Sequence, residues 1–165
     1  MIVKTKITHP DAVIPFKTYE DDFCYDCVAV SCEELAPNVY KYRIGLAFQI
    51  DRDQLNPMAT LLNTQLRTKL EAWQLSIDFR PRSSVWKTGM VLSNCEGTID
   101  EIFTGEISAI FYHVLPNMPK YEVGDKIGQI KLGFTLPMEF VKVDELKPTE
   151  RNENSYGSTG LNIKK

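Results

Sequence analysis

A proline-bounded turn holds the densest group of side chains that could bind an anion. The stretch "FRPRSSVWKTG" places Arg80, Arg82 and Lys87 around Ser83 and Ser84. Guanidinium, hydroxyl and backbone N–H groups in such a turn can converge on phosphate oxygens. Taken alone, the stretch fits a solvated basic turn better than a binding site.

A second stretch, "NCEGTIDEIFTGE", holds a carboxylate among apolar residues. Asp100 follows Gly97 and two β-branched residues, and Phe103 comes next in the same stretch. A carboxylate with apolar neighbours can act as a general base. The plainer alternative is a capping residue, because an aspartate beside a turn commonly accepts hydrogen bonds from the nearby backbone.

The C-terminal stretch "YGSTG" combines an aromatic ring, two hydroxyls and two glycines, as an anion-binding loop does. It lies beyond the last hydrophobic run, where chain ends commonly fray. It lacks the lysine of a P-loop and does not connect a strand to a helix, so a Walker A motif is rejected.

The cysteines Cys24 and Cys27 of "CYDC" lie in an apolar, β-branched stretch that is typical of a strand. Residues three apart on a strand point to opposite faces, so these two sulfurs could not chelate one ion. We interpret them as small buried hydrophobic residues and not as a metal or redox centre.

Length and composition favour a single globular domain. The 165 residues are 43% hydrophobic and 25% charged, and a chain of this size buries about 70% of its unfolded surface. The net charge of -3 and the pI near 5.5 argue against a nucleic-acid partner, which requires a basic surface. No stretch approaches the roughly 18 apolar residues that span a bilayer, and the N-terminus lacks a signal-peptide core. We therefore expect no membrane contact and a cytoplasmic location.

Period-two patterns dominate the chain and predict an all-β sandwich or barrel. In Glu106–Leu115 both alternating sets are largely apolar, which predicts cover on both faces, by a second sheet or by another subunit. Turn residues separate the runs. The predicted strands are Ile2–Thr8, Tyr25–Ser31, Val39–Ile50, Leu75–Arg80, Gly89–Asn94, Glu106–Leu115, Lys126–Leu136 and Glu139–Leu146.

One segment departs from the strand pattern. Asn56 and Pro57 favour a helix start, and apolar residues then recur every three or four positions as far as Trp73. The spacing predicts one α-helix over about 56–73, packed against the β core by a single apolar stripe.

In their order, five stretches resemble the five motifs of the trimeric all-β dUTPases, the deoxyuridine triphosphate nucleotidohydrolases. They are "FCYDCVA", "PRSS", "NCEGTIDEIFTGEI", "GDKIGQIKL" and "RNENSYGSTG". The resemblance runs from about Phe23 to Gly160, with a helical insertion over about 52–74. The third motif is the most specific. Its matching positions are Asn94, Gly97, Ile99, Asp100 and Gly105.

The resemblance implies a distorted jelly-roll β-barrel or sandwich that assembles as a homotrimer with shared active sites. It also implies hydrolysis of dUTP to dUMP and pyrophosphate, which limits uracil in DNA and supplies dUMP for dTMP synthesis. Asp100 would deprotonate a water for in-line attack on the α-phosphorus. Mg²⁺ would bind the triphosphate oxygens, and Asp26 would hold it indirectly, through water. The implied substrate-binding residues are Arg82, Ser83, Ser84, Asn94, Gly97, Ile99, Phe103, Gln129, Arg151, Tyr156, Gly157, Ser158 and Thr159.

The third motif would select base and sugar. Asn94 and the backbone of a β-hairpin would bind the uracil edge, and cytosine would leave buried polar groups unpaired, a penalty of about 10⁴-fold. Phe103 stands where the family usually has tyrosine. Its ring would pack on deoxyribose and exclude a 2′-hydroxyl.

The resemblance divides the chain into a domain over 1–147 and a mobile C-terminal arm over 148–165. In the family this arm crosses to a neighbouring subunit and closes over its site. Tyr156 would stack on uracil, Arg151 would reach the terminal phosphates, and the hydroxyls of "YGST" would add donors. This arm has fewer glycines than the family's usual fifth motif.

Two alternatives accompany this hypothesis. A dCTP deaminase or bifunctional enzyme shares the fold, but it needs a glutamate at the position of Ile110 and has arginine at that of Lys87. A slow nucleotide-binding regulator would use the insertion over 52–74 to bind a protein partner.

Overall fold

The computed structural model describes residues 2–52 and 73–150, and it confirms the all-β prediction. Nine strands and one short 3-10 helix (Ser83–Lys87) are present in these two ranges, without an α-helix. The strands are β1 (Ile2–Ile7), β2 (Tyr25–Val28), β3 (Ser31–Ala36), β4 (Val39–Asp51), β5 (Gln74–Arg80), β6 (Met90–Leu92), β7 (Gly97–Asp100), β8 (Glu106–His113) and β9 (Lys126–Thr135).

The strands form two antiparallel sheets. Sheet A has the order β1-β4-β8-β6, with β3 also paired to β4, and sheet B has the order β2-β9-β5-β7. No pairing among the described strands joins the sheets into a closed barrel, so the architecture of this part of the chain is a sandwich. Within the same residues no helix has the length and apolar character to cross a membrane.

The inward faces of the two sheets share one hydrophobic core. Tyr42 on β4 and Phe111 on β8 are fully buried, and their rings meet edge to face with centroids 5.8 Å apart. Ile77 and Phe79 on β5 and Ile127 on β9 close the core from sheet B. Burying a side chain of this kind contributes roughly 1.5–3 kcal/mol, so this layer fixes the relation of the two sheets.

Strand β8 is covered on one face within the chain. Ile107 and Phe111 are buried in the core, whereas Ile110 on the outer face is half-buried and Tyr112 is 47% exposed. Cover of the outer face by another subunit stays a prediction.

The strand predicted over Glu139–Leu146 is wrong for this chain. The segment pairs with no described strand, and its apolar residues are exposed, Phe140 at 89%. Alternation yields a strand only where a sheet edge is available to pair with it. The sequence analysis missed two strands, β3 and β7. Their hydrophobic alternation is weak, but each forms because a neighbouring strand is available, β4 for β3 and β5 for β7.

The predicted helix over 56–73 lies outside the described residues except for Trp73. That residue is not helical; it immediately precedes β5. Its ring stacks on the 64% exposed ring of Phe134 on β9, with centroids 4.8 Å apart, so Trp73 packs against sheet B outside the core.

Candidate active site

The outward face of sheet B is polar and carries both carboxylates that the sequence singled out. Residues directly opposite each other on paired strands share a face. Three rows follow from the register of β2, β9, β5 and β7. They are Asp26, Gln129 and Arg80; Lys131, Asp78 and Thr98; and Gly133, Ser76 and Asp100.

Asp26 and Asp100 lie at opposite corners of this face. Asp26 is in the first row on edge strand β2, and Asp100 is in the third row on edge strand β7. Three strand spacings and four residues along a strand separate them, a distance of about 20 Å between Cα atoms. The two carboxylates therefore belong to different sites on one chain.

The first site is a cavity of about 250 Å³ beneath the loop and strand of the third motif. It is here called the hairpin cavity after the predicted β-hairpin, although that prediction is wrong for the described strands, because β7 pairs with β5 whereas β8 pairs with β4 and β6. Its lining contains five residues that the sequence predicted for substrate binding or catalysis. The lining residues are Phe79, Asn94, Gly97, Thr98, Ile99, Asp100, Phe103, Ser108 and Ala109.

Two glycines lie next to side chains that line the hairpin cavity. A Cβ on Gly105 would lie 2.6 Å from Cζ of Phe103, so only glycine lets that ring lie on the backbone. A Cβ on Gly97 would lie 3.4 Å from the side-chain nitrogen of Asn94. The Phe103 ring therefore depends on glycine at 105, whereas a Cβ at 97 would make only ordinary van der Waals contact with the Asn94 amide.

Asp100 ends β7 and begins a turn. The Phe103 amide donates to the Asp100 carbonyl oxygen at 2.9 Å. The Asp100 side chain is exposed and has no hydrogen-bond or ion-pair partner among residues 2–52 and 73–150. An unengaged carboxylate is able to accept a proton from a water.

The second site is a cavity of about 340 Å³ beside β2, here called the β2 cavity. It gathers four residues that the sequence predicted for phosphate or metal binding, together with two exposed aromatic rings. The lining residues are Thr18, Tyr19, Asp22, Phe23, Cys24, Asp26, Arg82, Ser83 and Gln129.

Asp26 is buried, with 7% of its surface exposed, and two cations hold it. Arg82 Nε lies 2.8 Å from Oδ1, and Lys126 Nζ lies 2.9 Å from Oδ2. Thr18 accepts a hydrogen bond from Lys126 at 3.1 Å. Arg82 immediately precedes the 3-10 helix, so the turn "RPRSS" carries its guanidinium to β2.

These contacts fit an indirect metal contact and not direct ligation. A carboxylate has about four lone-pair directions. Each of the two cations contacts one oxygen of Asp26, and the Thr18 hydroxyl also donates to Oδ2 at 3.5 Å. The described part of the chain holds no group of three His, Cys, Asp or Glu side chains that could bind a metal ion. Mg²⁺ commonly keeps several waters and binds substrate phosphates, so this donor set suits it.

Lys126 is a residue of the β2 cavity's charge cluster that the sequence did not indicate. By simple alternation it should face away from Gln129, three residues later. A bulge opposite Cys27 and Val28 shifts the register, so that Lys126 pairs with Val28 and shares a face with Asp26. No sequence signal marks that bulge.

An ion pair between half-buried Lys131 and buried Asp78 occupies the middle row of the face. Lys131 Nζ lies 2.6 Å from Oδ2 of Asp78, and the Ser76 hydroxyl donates to Oδ1 at 2.8 Å. Burial raises the pKa of the Asp78 carboxyl, but the hydrogen bonds from Lys131 and Ser76 outweigh it and hold that pKa below its ordinary value. Because both Asp78 oxygens have partners, this row lies between the two sites without an open carboxylate oxygen.

The prediction that Cys24 and Cys27 are small buried residues is confirmed for Cys27 and wrong for Cys24, which is half-buried and lines the β2 cavity. All four are free, and Cys27 is 1% exposed while Cys24 is half-buried. Burial, and to a smaller extent the Asp26 carboxylate, raises the pKa of the Cys27 thiol to about 12. A thiol with that pKa is not a nucleophile at neutral pH.

Comparison with known proteins decides the family. No protein-family model matches the chain. The deoxyuridine 5′-triphosphate nucleotidohydrolase of Clostridium novyi (strain NT) is 32% identical over 156 residues, which cover 93% of this chain and 95% of the relative. This chain belongs to the dUTPase family.

Solved dUTPases have the same fold. The dUTPase of Staphylococcus bacteriophage 80alpha with dUPNHPP has a TM-score of 0.69 and 18% identity, covering 97% of this chain and 99% of that one. A mutant dUTPase from phage phi11 of S. aureus, described with a structural Mg(II) ion, has a TM-score of 0.60 and 16% identity, covering 90% and 100%.

The dUTPase motifs thus separate into two groups on one chain. The third motif lines the hairpin cavity, and parts of the first, second and fourth line the β2 cavity. Ser84 of the second motif is half-buried and lines neither cavity. Arg151, Tyr156, Gly157, Ser158 and Thr159 lie outside the described residues. The sequence analysis did not predict several residues of the two sites. Among them are Thr18 and Lys126 at the β2 cavity and Ser108 and Ala109 at the hairpin cavity.

Proposed function

We propose that this chain is a dUTP diphosphatase that hydrolyses dUTP to dUMP and pyrophosphate. The observation that carries the proposal is the hairpin cavity, whose lining holds the predicted base, sugar and catalytic residues of the family's third motif. The Clostridium novyi relative carries the name of this activity, and the 80alpha neighbour is described with the dUTP analogue dUPNHPP. The reaction would limit uracil in DNA and supply dUMP for dTMP synthesis, in the cytoplasm.

In this proposal Asp100 is the general base. Its carboxylate would take a proton from water as the water oxygen bonds to the α-phosphorus and the bond to the pyrophosphate oxygen breaks. The exposed position of Asp100 and its lack of a described partner support this role. No covalent enzyme intermediate is needed.

The hairpin cavity would select uracil and deoxyribose. The Asn94 amide and the backbone near Gly97 and Ile99 would pair with the uracil edge, and the Phe103 ring would pack on the sugar. The Phe103 ring lies against Gly105, where it can exclude a 2′-hydroxyl. A cavity of about 250 Å³ is sized for a nucleoside and not for the triphosphate as well.

The β2 cavity would bind the triphosphate. Arg82, Ser83 and Gln129 would donate to phosphate oxygens, with Ser84 adding a donor from the same turn. Bound Mg²⁺ would neutralise the negative charge that grows on the leaving pyrophosphate. Asp26 would accept a hydrogen bond from the metal's water shell, chiefly through Oδ1, where Arg82 is the described partner.

We also propose a homotrimer in which each site is shared between chains. Asp100 and Asp26 are too far apart on one chain, at about 20 Å, to act on one phosphate group from hydrogen-bond range. The segment after β9 exposes Met138, Phe140, Val141 and Leu146, each by 68% or more. An exposed apolar run of this kind favours burial against another chain. The domain over 1–147 would carry both half-sites.

The C-terminal arm over 148–165 would complete the site from a third chain. Tyr156 would stack on uracil, Arg151 would bind the terminal phosphates, and Gly157, Ser158 and Thr159 would order around the nucleotide. This motion would exclude water other than the nucleophile.

The variant Asp100→Asn tests the mechanism. We expect pyrophosphate release from dUTP with Mg²⁺ to fall about 10²- to 10⁴-fold, the usual contribution of a general base. Calorimetric binding of dUPNHPP should persist, because asparagine keeps the shape. The matched control is Asp11→Asn, which removes an exposed carboxylate outside both cavities. Full turnover in Asp100→Asn would refute the assignment.

Deaminase activity is not favoured. Ile110 is half-buried on sheet A, outside both cavities, and it has no group that could carry a proton. Assaying ammonia release from dCTP beside pyrophosphate release from dUTP separates the two activities.

A further inference from the structure

The turn that follows β7 must be held in one conformation, but apolar packing does not hold it. It runs from Asp100 to Phe103, joined by the 2.9 Å hydrogen bond between their backbones. Ile102 is 91% exposed and Phe103 is 48% exposed. Among the described residues, Glu101 is the side chain of this turn that has polar partners.

Arg52 and Glu101 form a bidentate ion pair. Its Nε pairs with Oε1, and its Nη2 donates to Oε2 at 2.6 Å. Two parallel hydrogen bonds fix a guanidinium and a carboxylate in one plane. The hydrogen bonds from Arg52 hold the pKa of the Glu101 carboxyl below its ordinary value, so the pair is charged at neutral pH.

Arg52 is itself anchored to the sandwich. It immediately follows β4, and its Nη2 also donates to the Trp73 carbonyl oxygen at 2.8 Å. The Trp73 ring stacks on Phe134 of β9 at an interplanar angle of 10°. Arg52 and Trp73 are also the described residues on either side of 53–72. The Arg52 guanidinium thus connects Trp73, which precedes β5, to the turn that contains Asp100.

We propose that Arg52 and Glu101 are positioning residues for dUTP hydrolysis, which hold the turn so that Asp100 meets the attacking water and Phe103 meets the sugar. This rests on the proposed role of Asp100. Neither residue lines the hairpin cavity or the β2 cavity, so the pair acts through the turn and not by contact with substrate. The Arg52 and Glu101 side chains are 37% and 22% exposed. A pair this exposed contributes little to global stability, so its loss appears mainly in turnover.

A double-mutant cycle of Arg52→Met and Glu101→Gln tests the inference. Misplacing a catalytic group by a fraction of an ångström should lower kcat about tenfold in each single variant. KM should change less than about threefold, and the double variant should lose no more than the worse single variant, because both remove the same pair. Arg52→Lys, which keeps the charge but only one donor group, should be intermediate.

The pair between Arg43 and Glu106 offers a matched control. Its atoms lie 2.9 Å apart, and its side chains are 38% and 23% exposed, nearly the same as in the proposed pair. Arg43→Met should therefore match the Arg52→Met variant in thermal stability and keep wild-type kcat.

Hydrogen exchange of peptides covering 98–105 gives a readout that does not depend on activity. Exchange should be faster in Arg52→Met and Glu101→Gln than in the wild type or Arg43→Met. Unchanged exchange, an additive cycle, or an equal loss of kcat in Arg43→Met would each overturn the inference. If the wild type does not hydrolyse dUTP, the proposed function fails. Faster exchange in the Arg52 and Glu101 variants would still show that this pair holds the turn. If Arg52→Met does not fold, Glu101→Gln, which keeps the side-chain shape, carries the same comparison.

Discussion

Two inactive variants of this protein should restore each other's activity when they assemble together. Asp100→Asn damages the hairpin cavity, and Arg82→Gln damages the β2 cavity while keeping a donor near Asp26. Arg82 contacts Asp26, whose Cα lies about 20 Å across sheet B from that of Asp100. If each site draws one group from each of two chains, a mixed assembly contains some sites with neither defect.

The expected recovery follows from counting. In a one-to-one random mixture, the chain that supplies the hairpin cavity is intact there with a probability of about one half, and so is the neighbour that supplies the β2 cavity. About a quarter of the sites are then fully wild type, so the mixture should reach about 25% of wild-type turnover. Sites contained within one chain would give no recovery, because every chain carries one defect.

The assay is pyrophosphate release from dUTP with Mg²⁺ after the two variants are unfolded, mixed and refolded together. Each variant refolded alone is the control for background, and refolded wild type sets the full scale. Activity of the mixture no higher than the mean of its two parents would refute the shared-site argument. Size-exclusion chromatography of each sample confirms that mixed assemblies form.

Lys131→Met removes the main partner of buried Asp78, and we expect it to lower the free energy of unfolding at pH 7 by about 1–3 kcal/mol in urea titrations. The folded pKa of Asp78 is depressed, so its stabilisation is present above the unfolded pKa and is lost as pH falls through the folded one. The variant should lose less stability on acidification than the wild type, and equal acid sensitivity would contradict this account. Separately, Cys27 should resist iodoacetamide in the folded protein while the exposed Cys32 is modified, as mass spectrometry can measure. Equal labelling of both thiols would contradict the buried position of Cys27.

The sequence predicted those strands whose hydrophobic pattern reflects contact with the core. Val39–Ile50 alternates along the core and corresponds to β4, which differs by one residue at its end. The hairpin cavity was predicted well because its residues are close in sequence, all from Asn94 to Phe103 apart from Phe79, Ser108 and Ala109. A sequence motif is enough to predict a cavity when the lining residues are close together in the chain.

Contacts between distant segments escaped prediction. Lys126 reaches Asp26 through a bulge, which inverts the alternation of β9. The contact between Arg52 and Glu101 joins residues 49 positions apart. Glu101 lies within the third motif but is not one of its matching positions, and Arg52 lies outside all five motifs. The error over 139–146 has the same origin, because alternation describes one strand and says nothing about the availability of an edge.

The ion pair between Asp26 and Arg82 has a consequence for how tightly a nucleotide can bind. A long arginine side chain that is free in solution loses rotamer freedom when a ligand fixes it, at a cost of about 0.5–1.5 kcal/mol. Here the carboxylate already fixes the guanidinium when the chain folds, with 2.8 Å between Nε and Oδ1. The entropy of ordering is spent during folding, so an arriving phosphate meets a preorganised donor. The same carboxylate offsets the positive charge of Arg82, so this acidic protein can hold a cation ready for phosphate without a surface that attracts polyanions at large.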